Sequence, residues 1–253
     1  MLYILKSSMD YTICSKDGTI GKIKDMLFDD QKWRIRYMVA DAGNWLIGNK
    51  VLISPQFMVE LDREKQCINV DLLNKQIAAS PSASSDVPVN RQYDRDFFQI
   101  QESAWSAFFL LNGDKTITTD LDRKAREERL AEAHSWDSHL RSAMALQGVK
   151  FEATDGEIGV VDDLIIDSKT WAIRYLIINT GNWWEGHKVL VAPPWIDKMN
   201  WGTSKIHVNI EREAFKALEE FSSIEMLTRD YETRLHQSCN RIGYWADDTA
   251  CDL

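Results

Sequence analysis

The sequence predicts a mainly β fold with helical tails (an α+β chain), built as two small β-barrels in tandem that are related by a pseudo-twofold axis. Two observations support this prediction. The chain repeats itself at an offset of 138 residues, and each copy alternates short apolar runs with turn residues. About five or six strands in roughly 70 residues suit a small closed barrel better than an open sheet, whose edges would need protection.

The internal repeat appears when residue 17 is set against residue 155. Of the 39 ungapped positions that follow, 18 are identical. The same offset reaches the polar tails, where Arg91 and Arg229 occupy equivalent positions. A period this long indicates two domains rather than a solenoid of short repeats. We therefore predict barrels at 1–80 and 143–213, a linker and helical tail at 81–142, and a helical C-terminal tail at 214–253.

Individual elements follow from turn chemistry and apolar alternation. The Asp-Gly pairs indicate hairpin turns, because glycine adopts positive φ at low cost. Strands are predicted near Ile20–Phe28, Trp33–Asp41, Val51–Ser54 and Gln66–Leu72, with equivalents in the second copy. Ser80–Pro88 is predicted as a loop, Leu121–His134 as the best helix, and Arg212–His236 as helical too. The recurring turn and core residues are Asp17, Gly18, Gly21, Trp33 and Tyr37, then Asp155, Gly156, Gly159, Trp171 and Tyr175.

These recurring elements resemble one known family. Asp-Gly-x-Ile-Gly, an aspartate at 29 and 167, Trp-x-Ile-Arg-Tyr and Lys-Val-Leu-x-x-Pro are similar to the PRC-barrel family, over roughly 8–75 and 143–213. The family includes the barrel of the photosynthetic reaction centre H subunit and the C-terminal barrel of a ribosome maturation factor. The resemblance implies a small β-barrel that acts through protein–protein contact, with no shared catalytic residues.

Composition argues against several function classes. The net charge is −9, with +1 over residues 1–80 and −7 over 147–253, which disfavours a nucleic-acid partner. No apolar run is long enough for a membrane span, and the first residues do not read as a signal peptide, so a cytoplasmic location is expected. The four cysteines show no CxxC pair, and we expect reduced thiols rather than a disulfide framework.

Candidate chemistry is sparse. His134 and His139 lie five residues apart, on different faces of a helix, and the other histidines have no companions at ligand spacing. The recurring aspartates lack the alternate spacing of a calcium loop. Nucleophile and phosphate-loop motifs are absent from the sequence. We therefore expect a protein that is not an enzyme and that has neither a metal nor a cofactor.

Two sets of residues are candidate partner contacts. Arg36 and Arg174 recur inside otherwise apolar strands. Each is expected either to contact an anion or a partner, or to form an ion pair with an aspartate on a neighbouring strand, Asp25 or Asp163. The Gly-Asn-Trp loops carry Trp45 in one copy, and Trp183 with Trp184 in the other. A loop tryptophan is either folded over a barrel end or exposed as a contact anchor.

The sequence therefore favours a non-enzymatic interaction or scaffolding module with an unknown protein partner. Homo-oligomerisation is a second expectation, because barrels that pair within a chain can also pair between chains. Two alternatives remain open. One is an electron-transfer accessory at a membrane surface, similar to the reaction-centre subunit, and the other is a small-ligand-binding barrel.

Overall fold

The computed structural model describes residues 1–41, 50–78, 80, 139–184 and 186–248. The loop predicted at Ser80–Pro88 is described only at Ser80. The helix predicted at Leu121–His134 lies outside the described residues. In the described part of the chain, none of the helices has the length and hydropathy needed to cross a lipid bilayer.

Strands dominate the described residues, as the sequence predicts, and the helices are short. The strands are β1 Leu2–Ile4, β2 Thr12–Ser15, β3 Gly18–Asp29, β4 Arg34–Asp41, β5 Lys50–Ile53, β6 Met58–Asp62, β7 Cys67–Val70, β8 Leu140–Ser142, β9 Lys150–Ala153, β10 Gly156–Asp167, β11 Ile173–Asn179, β12 Lys188–Val191, β13 Ile196–Asn200 and β14 Lys205–Val208. The helices are α1 Leu5–Ser8, α2 Asn74–Ala78, α3 Arg212–Lys216, α4 Arg229–Ser238 and α5 Trp245–Asp248.

The chain divides into two compact units, and each takes residues from more than one stretch of sequence. Unit N comprises residues 10–31 and 36–141, and unit C comprises residues 1–9, 32–35 and 142–253. The first nine residues and the short segment 32–35 therefore belong to unit C, although the repeat places both in the first copy.

The sheet of unit C has the strand order β12-β11-β10-β9-β14-β13, and β1 also pairs with β10. Neighbouring strands are antiparallel except β9 and β14, which run parallel. The long strand β10 changes register between Val161 and Asp163, where a β-bulge bends it. The largest fully buried side chains in this unit are Tyr3, Leu5, Phe151, Tyr175, Phe215 and Tyr231.

The sheet of unit N has the order β5-β4-β3-β2-β7-β6, and β8 also pairs with β3. Strands β2 and β7 of this sheet run parallel. The sulfur atoms of Cys14 and Cys67 are bonded across these two strands. The expectation of free thiols is therefore wrong for this pair, because sheet register brings together cysteines separated by 53 residues, with Cα atoms 6.2 Å apart.

Neither sheet closes through the strand pairs of the described residues. The path in unit C ends at β12 and β13, and that in unit N ends at β5 and β6. No closed barrel is found in this part of the chain, contrary to the expectation from strand number. The outer strands are protected in other ways: β6 and β13 each carry a register shift, and the Phe221 amide donates to the Lys188 carbonyl beside β12.

The two tryptophans expected in the core lie in tight turns instead. Trp33 and Trp171 have φ values of +51° and +58°, and both side chains are half-buried. Within unit C the turn residues pair directly: the Ile35 amide donates to the Trp171 carbonyl at 2.8 Å, and the Ile173 amide donates to the Trp33 carbonyl at 2.7 Å. These hydrogen bonds attach segment 32–35 to unit C.

The predicted Asp-Gly turns are present and have a second role. Gly18 and Gly156 adopt φ values of +149° and +147°, which side-chain-bearing residues rarely adopt. The Asp17 carboxylate accepts a hydrogen bond from the Asn74 amide at 2.7 Å. The Asp155 carboxylate accepts one from the Arg212 amide at 2.9 Å. Each aspartate therefore satisfies an amide at the start of the helix that follows β7 or β14.

Candidate interaction site

The recurring arginines form ion pairs, but with different aspartates from those expected. The Arg36 guanidinium lies 3.2 Å from Asp29, and the Arg174 guanidinium lies 3.1 Å from Asp167. Each pair spans the hairpin between consecutive long strands, so its geometry is set by the turn. The expected partner of Arg174, Asp163, instead accepts hydrogen bonds from the backbone amides of Leu164 and Lys6.

Asp25, the aspartate expected beside Arg36, is hydrogen-bonded to the backbone of its own strand. Its carboxylate accepts a hydrogen bond from the neighbouring Met26 amide at 2.7 Å. The pairing of Asp163 with Lys6 fixes the N-terminal segment on β10, where Lys6 also reaches Asp162 through its ammonium group at 3.0 Å. Burial raises the pKa of Asp163, and the amide hydrogen bonds only partly offset this.

Arg174 also contacts the C-terminal segment of the chain. Its guanidinium carbon lies 3.9 Å from the centre of the Tyr244 ring, a cation–π distance. Tyr175, the next residue on β11, is fully buried and directs its hydroxyl to α4. Two residues singled out by the sequence repeat thus meet residues from the far end of the chain.

A buried carboxylate, Glu232, organises this contact. Glu232 is 2% exposed, and its Oε1 accepts hydrogen bonds from the hydroxyls of Tyr175 and Tyr244, both at 2.9 Å. Its Oε2 lies 3.0 Å from the guanidinium of Arg229. Both oxygens therefore have partners, as a buried charge requires. We call Tyr175, Arg229, Glu232, His236 and Tyr244 the carboxylate cluster.

His236 adds a second acceptor for the Tyr175 hydroxyl. Its Nδ1 lies 3.0 Å from the Ile242 carbonyl, which can only accept, so Nδ1 carries a proton. In the neutral ring Nε2 is then an acceptor, 3.2 Å from the Tyr175 oxygen. Because the hydroxyl has one proton, it serves either His236 or Glu232 at any moment. The three groups form one coupled hydrogen-bond network.

Local sequence explains how α4 presents these groups. Thr228 caps the helix by accepting a hydrogen bond from the Tyr231 amide, and the acidic first turn complements the helix dipole. The buried residues of α4 are Tyr231, Glu232, Leu235 and His236. This spacing lies on one face of an α-helix, so the face that packs on β11 carries two polar groups among its apolar ones.

The titration behaviour of the cluster follows from burial. Burial first, and then the nearby Glu232, raise the pKa of Tyr175 and raise the pKa of Tyr244 to about 12. Burial lowers the pKa of His236, and its hydrogen bond to the Ile242 carbonyl only partly offsets this. Near neutral pH the two tyrosines and the imidazole are therefore uncharged.

The lowered pKa of His236 gives a pH prediction. The unfolded chain binds a proton at His236 more readily than the folded chain does, because the pKa of His236 is lower in the folded state. The contribution of His236 to the free energy of unfolding is therefore complete above its ordinary pKa of 6.5, and it is lost as the pH falls towards the folded-state pKa. The difference in free energy of unfolding between the native chain and His236→Gln, from urea titrations at pH 5 to 8, is expected to shrink as pH falls. A difference that grows would mean that the folded state favours the protonated ring.

The outer side of the cluster is open to solvent. The side chain of Arg229 is 52% exposed, and its guanidinium lies 4.4 Å from the Trp245 ring and 5.3 Å from the Tyr244 ring. Ile242, in the turn between α4 and α5, is 83% exposed. We call Arg229, Ile242, Tyr244 and Trp245 the C-terminal patch. It combines a cation, two half-buried aromatic rings and an exposed aliphatic side chain.

Of the three tryptophans proposed as contacts, the structure describes only the side chain of Trp184. Trp45 lies outside the described residues, as does the side chain of Trp183. Trp184 is half-buried, and its ring meets the His187 ring edge-on at 4.6 Å. Tyr37, the counterpart of Tyr175, is buried with Val39 and Leu52. In the described ranges, no group of three or more His, Cys, Asp or Glu side chains comes close enough to hold a metal ion.

Sequence reasoning missed Glu232, His236, Tyr244 and Trp245. The signal for the first two was present, because they sit one and five residues after Tyr231 in a segment predicted as helical. Two buried apolar residues, Tyr231 and Leu235, mark the inner face of that helix. The segment predicted as helical at Arg212–His236 contains α3 and α4, with a short 3₁₀ turn at Ile224–Met226 between them.

Comparison with protein families identifies the class of the second domain. The PRC-barrel domain model matches residues 151–214, which run from β9 into α3. Unit C therefore contains a PRC-barrel domain. No curated protein matches the chain. The matched residues include Arg174 and Tyr175, while Arg229 to Trp245 follow the matched region, so the candidate site joins the domain to its C-terminal extension.

Proposed function

We propose that the chain is a non-enzymatic protein-interaction module made of two PRC-like units that arose by duplication. The fixed offset of 138 residues and the 18 identities in 39 positions support the duplication. The sheets support it too, since the succession β5-β4-β3-β2-β7-β6 corresponds, strand for strand, to β12-β11-β10-β9-β14-β13. Both units also keep the arginine–aspartate pair across the long hairpin.

The observation that carries the proposal is the C-terminal patch beside the PRC-barrel domain. Arginine, tryptophan and tyrosine are the residues that dominate binding energy at protein interfaces. Here the carboxylate cluster holds them in place from beneath, so little side-chain entropy is lost when a partner binds. Ile242 supplies exposed apolar area at the same place. We propose that a protein partner binds this patch.

A non-enzymatic role is supported by the way the polar groups of the cluster are used. Tyr175, Glu232 and His236 are each at most 4% exposed, and they hydrogen-bond mainly to one another. A general acid or base needs to reach a substrate proton directly or through one water. Groups that are buried and mutually bonded are better suited to holding the C-terminal segment against β11.

The test compares two exposed aliphatic residues on different parts of the surface. Ile242 and Val59 are 83% and 70% exposed, so an aspartate at either position leaves the core unchanged. Full-length chain carrying Ile242→Asp is expected to recover the native partner at least about tenfold less efficiently than the unmodified chain, because a charge replaces apolar contact area. Val59→Asp, on β6, is the matched control and is expected to retain binding.

The measurement is quantitative mass spectrometry of proteins that co-purify with each variant from the native cell. If the Ile242→Asp chain recovers as much partner protein as the unmodified chain, the C-terminal patch is not the binding surface. If only Val59→Asp reduces recovery of the partner, the binding surface includes β6. Stoichiometric RNA in place of protein would contradict an interaction module of this kind. Light scattering on the same variants tests self-association, since a second copy of the chain as partner predicts a smaller mass for Ile242→Asp.

A further inference from the structure

The disulfide of unit N joins two strands whose pairing is short. Strands β2 and β7 pair in parallel over three positions, Thr12 with Cys67, Ile13 with Ile68 and Cys14 with Asn69. This ladder connects the β6–β7 hairpin to the rest of the sheet. The Cys14–Cys67 bond lies across it and closes a loop of 53 residues. Cys67 is 4% exposed, whereas Cys14 is only half-buried.

Unit C uses a different link at the corresponding place. Strands β9 and β14 pair in parallel with the same pattern, Lys150 with Lys205, Phe151 with Ile206 and Glu152 with His207. Across this ladder the Lys205 ammonium lies 2.6 Å from the Glu152 carboxylate, which also lies 3.2 Å from His207. The two residues occupy the positions that Cys67 and Cys14 occupy in unit N. One sheet is therefore tied by an ion pair and the other by a covalent bond.

We propose that Cys14–Cys67 is a thiol–disulfide exchange site whose redox state sets the local stability of unit N. The geometry favours reversible use of the bond in two respects. Cys14 is the less buried of the two residues, so its sulfur is the one we assign to attack by a dithiol reductant. The parallel ladder is short, so the pairing of β7 with β2 depends on the bond once it is made. Unit C, with an ion pair at this place, is unaffected by the same reductant.

The exchange balances with a dithiol as reductant. A thiolate of the dithiol attacks Sγ of Cys14, the Cys14–Cys67 bond breaks, and Cys67 leaves as a thiolate that takes a proton from solvent. The second thiol of the reductant then attacks the mixed disulfide, releasing the Cys14 thiolate, which is protonated in turn. The reductant leaves as a disulfide. The reverse reaction, with a disulfide as oxidant, restores the bond.

Hydrogen exchange of the full-length chain with and without dithiothreitol tests the proposal, once alkylation and mass spectrometry have established the thiol state in each sample. In the reduced chain the amides of β6 and β7 are expected to exchange at least about tenfold faster, because loop closure no longer restrains the open state. Amides of β13 and β14 serve as the internal control and are expected to exchange at the same rate in both samples.

The double variant Cys14→Glu/Cys67→Lys completes the test by placing the ion pair of unit C in unit N. Its β6 and β7 amides are expected to exchange at one rate, whether or not dithiothreitol is present. Alkylation of both cysteines in chain purified without reductant would overturn the proposal, and so would equal exchange of β7 in the oxidised and reduced chains. Neither result bears on the C-terminal patch, so the two proposals fail independently.

Discussion

Gly159→Ala is expected to prevent unit C from reaching its native fold. A Cβ atom at this position would lie 2.0 Å from the Asn179 carbonyl oxygen and 2.8 Å from the Thr180 Cα. Both obstacles are backbone atoms, one at the last residue of β11 and one at the residue after it, so neither can be relieved by a change of side-chain rotamer. The pairing of β10 with β11 would have to separate at Val160 and Asn179, which lies beside the core. We expect destabilisation of at least about 3 kcal/mol.

The matched control is Gly202→Ala, in the turn between β13 and β14. A Cβ there meets only the side-chain oxygen of Asn200 at 3.5 Å, an ordinary contact. Urea unfolding followed by circular dichroism is expected to show a change within about 0.5 kcal/mol for this variant. If Gly159→Ala unfolds at the same urea concentration as Gly202→Ala, the close approach of the two strands does not exist in solution.

Glu232→Ala is expected to release the C-terminal segment from β11 and to lower the free energy of unfolding by about 2–4 kcal/mol. The substitution leaves the buried Tyr175 hydroxyl without its carboxylate acceptor, removes the acceptor of Tyr244 and deprives Arg229 of its ion pair. The Tyr175 hydroxyl can turn its proton to His236 Nε2, and Arg229 is half-exposed, so water can solvate it. The largest part of the cost therefore comes from the packing lost at a position that is 2% exposed and from the lost acceptor of the half-buried Tyr244 hydroxyl. Hydrogen exchange is expected to rise across α4 and α5.

Glu219→Ala is the control for Glu232→Ala. Glu219 also pairs with an arginine, Arg234 at 2.9 Å, but both side chains are about half-exposed. Exposed ion pairs contribute about 0–1 kcal/mol, so this variant is expected to resemble the native chain in stability. Equal destabilisation by the two substitutions would show that the burial of Glu232 does not determine its contribution to stability. Unchanged hydrogen exchange of α5 in Glu232→Ala would show that the C-terminal patch does not depend on the carboxylate cluster.

Much of the strand content could be predicted because it is a local property. The strand predicted at Trp33–Asp41 is observed at Arg34–Asp41, and that predicted at Val51–Ser54 is observed at Lys50–Ile53. Alternating apolar residues specify a pleated, half-buried strand whatever the rest of the chain does. The Asp-Gly turns were predictable for the same reason, because positive φ at Gly18 and Gly156 is a requirement of the turn itself.

Partners across the sheet were not predictable from local pattern. Arg174 was expected beside Asp163 but pairs with Asp167, because the turn between β10 and β11 fixes which residues face each other. A shift of one position in register reverses the face of every side chain, so small errors change all contacts. Cys14 and Cys67 were missed similarly, since their contact arises from a parallel pairing that no spacing in the sequence reveals.

The sequence by itself determined a mainly β chain, the positions of its turns, most of its strands and the residues repeated between its halves. Only the tertiary structure decided that residues 1–9 and 32–35 join unit C, that Cys14 meets Cys67, and that Glu232 gathers Tyr175, Arg229 and Tyr244. The physical reason is the separation along the chain over which each kind of interaction acts. Propensity and alternation act between neighbours, whereas a buried carboxylate needs partners that only the completed fold brings within hydrogen-bonding distance.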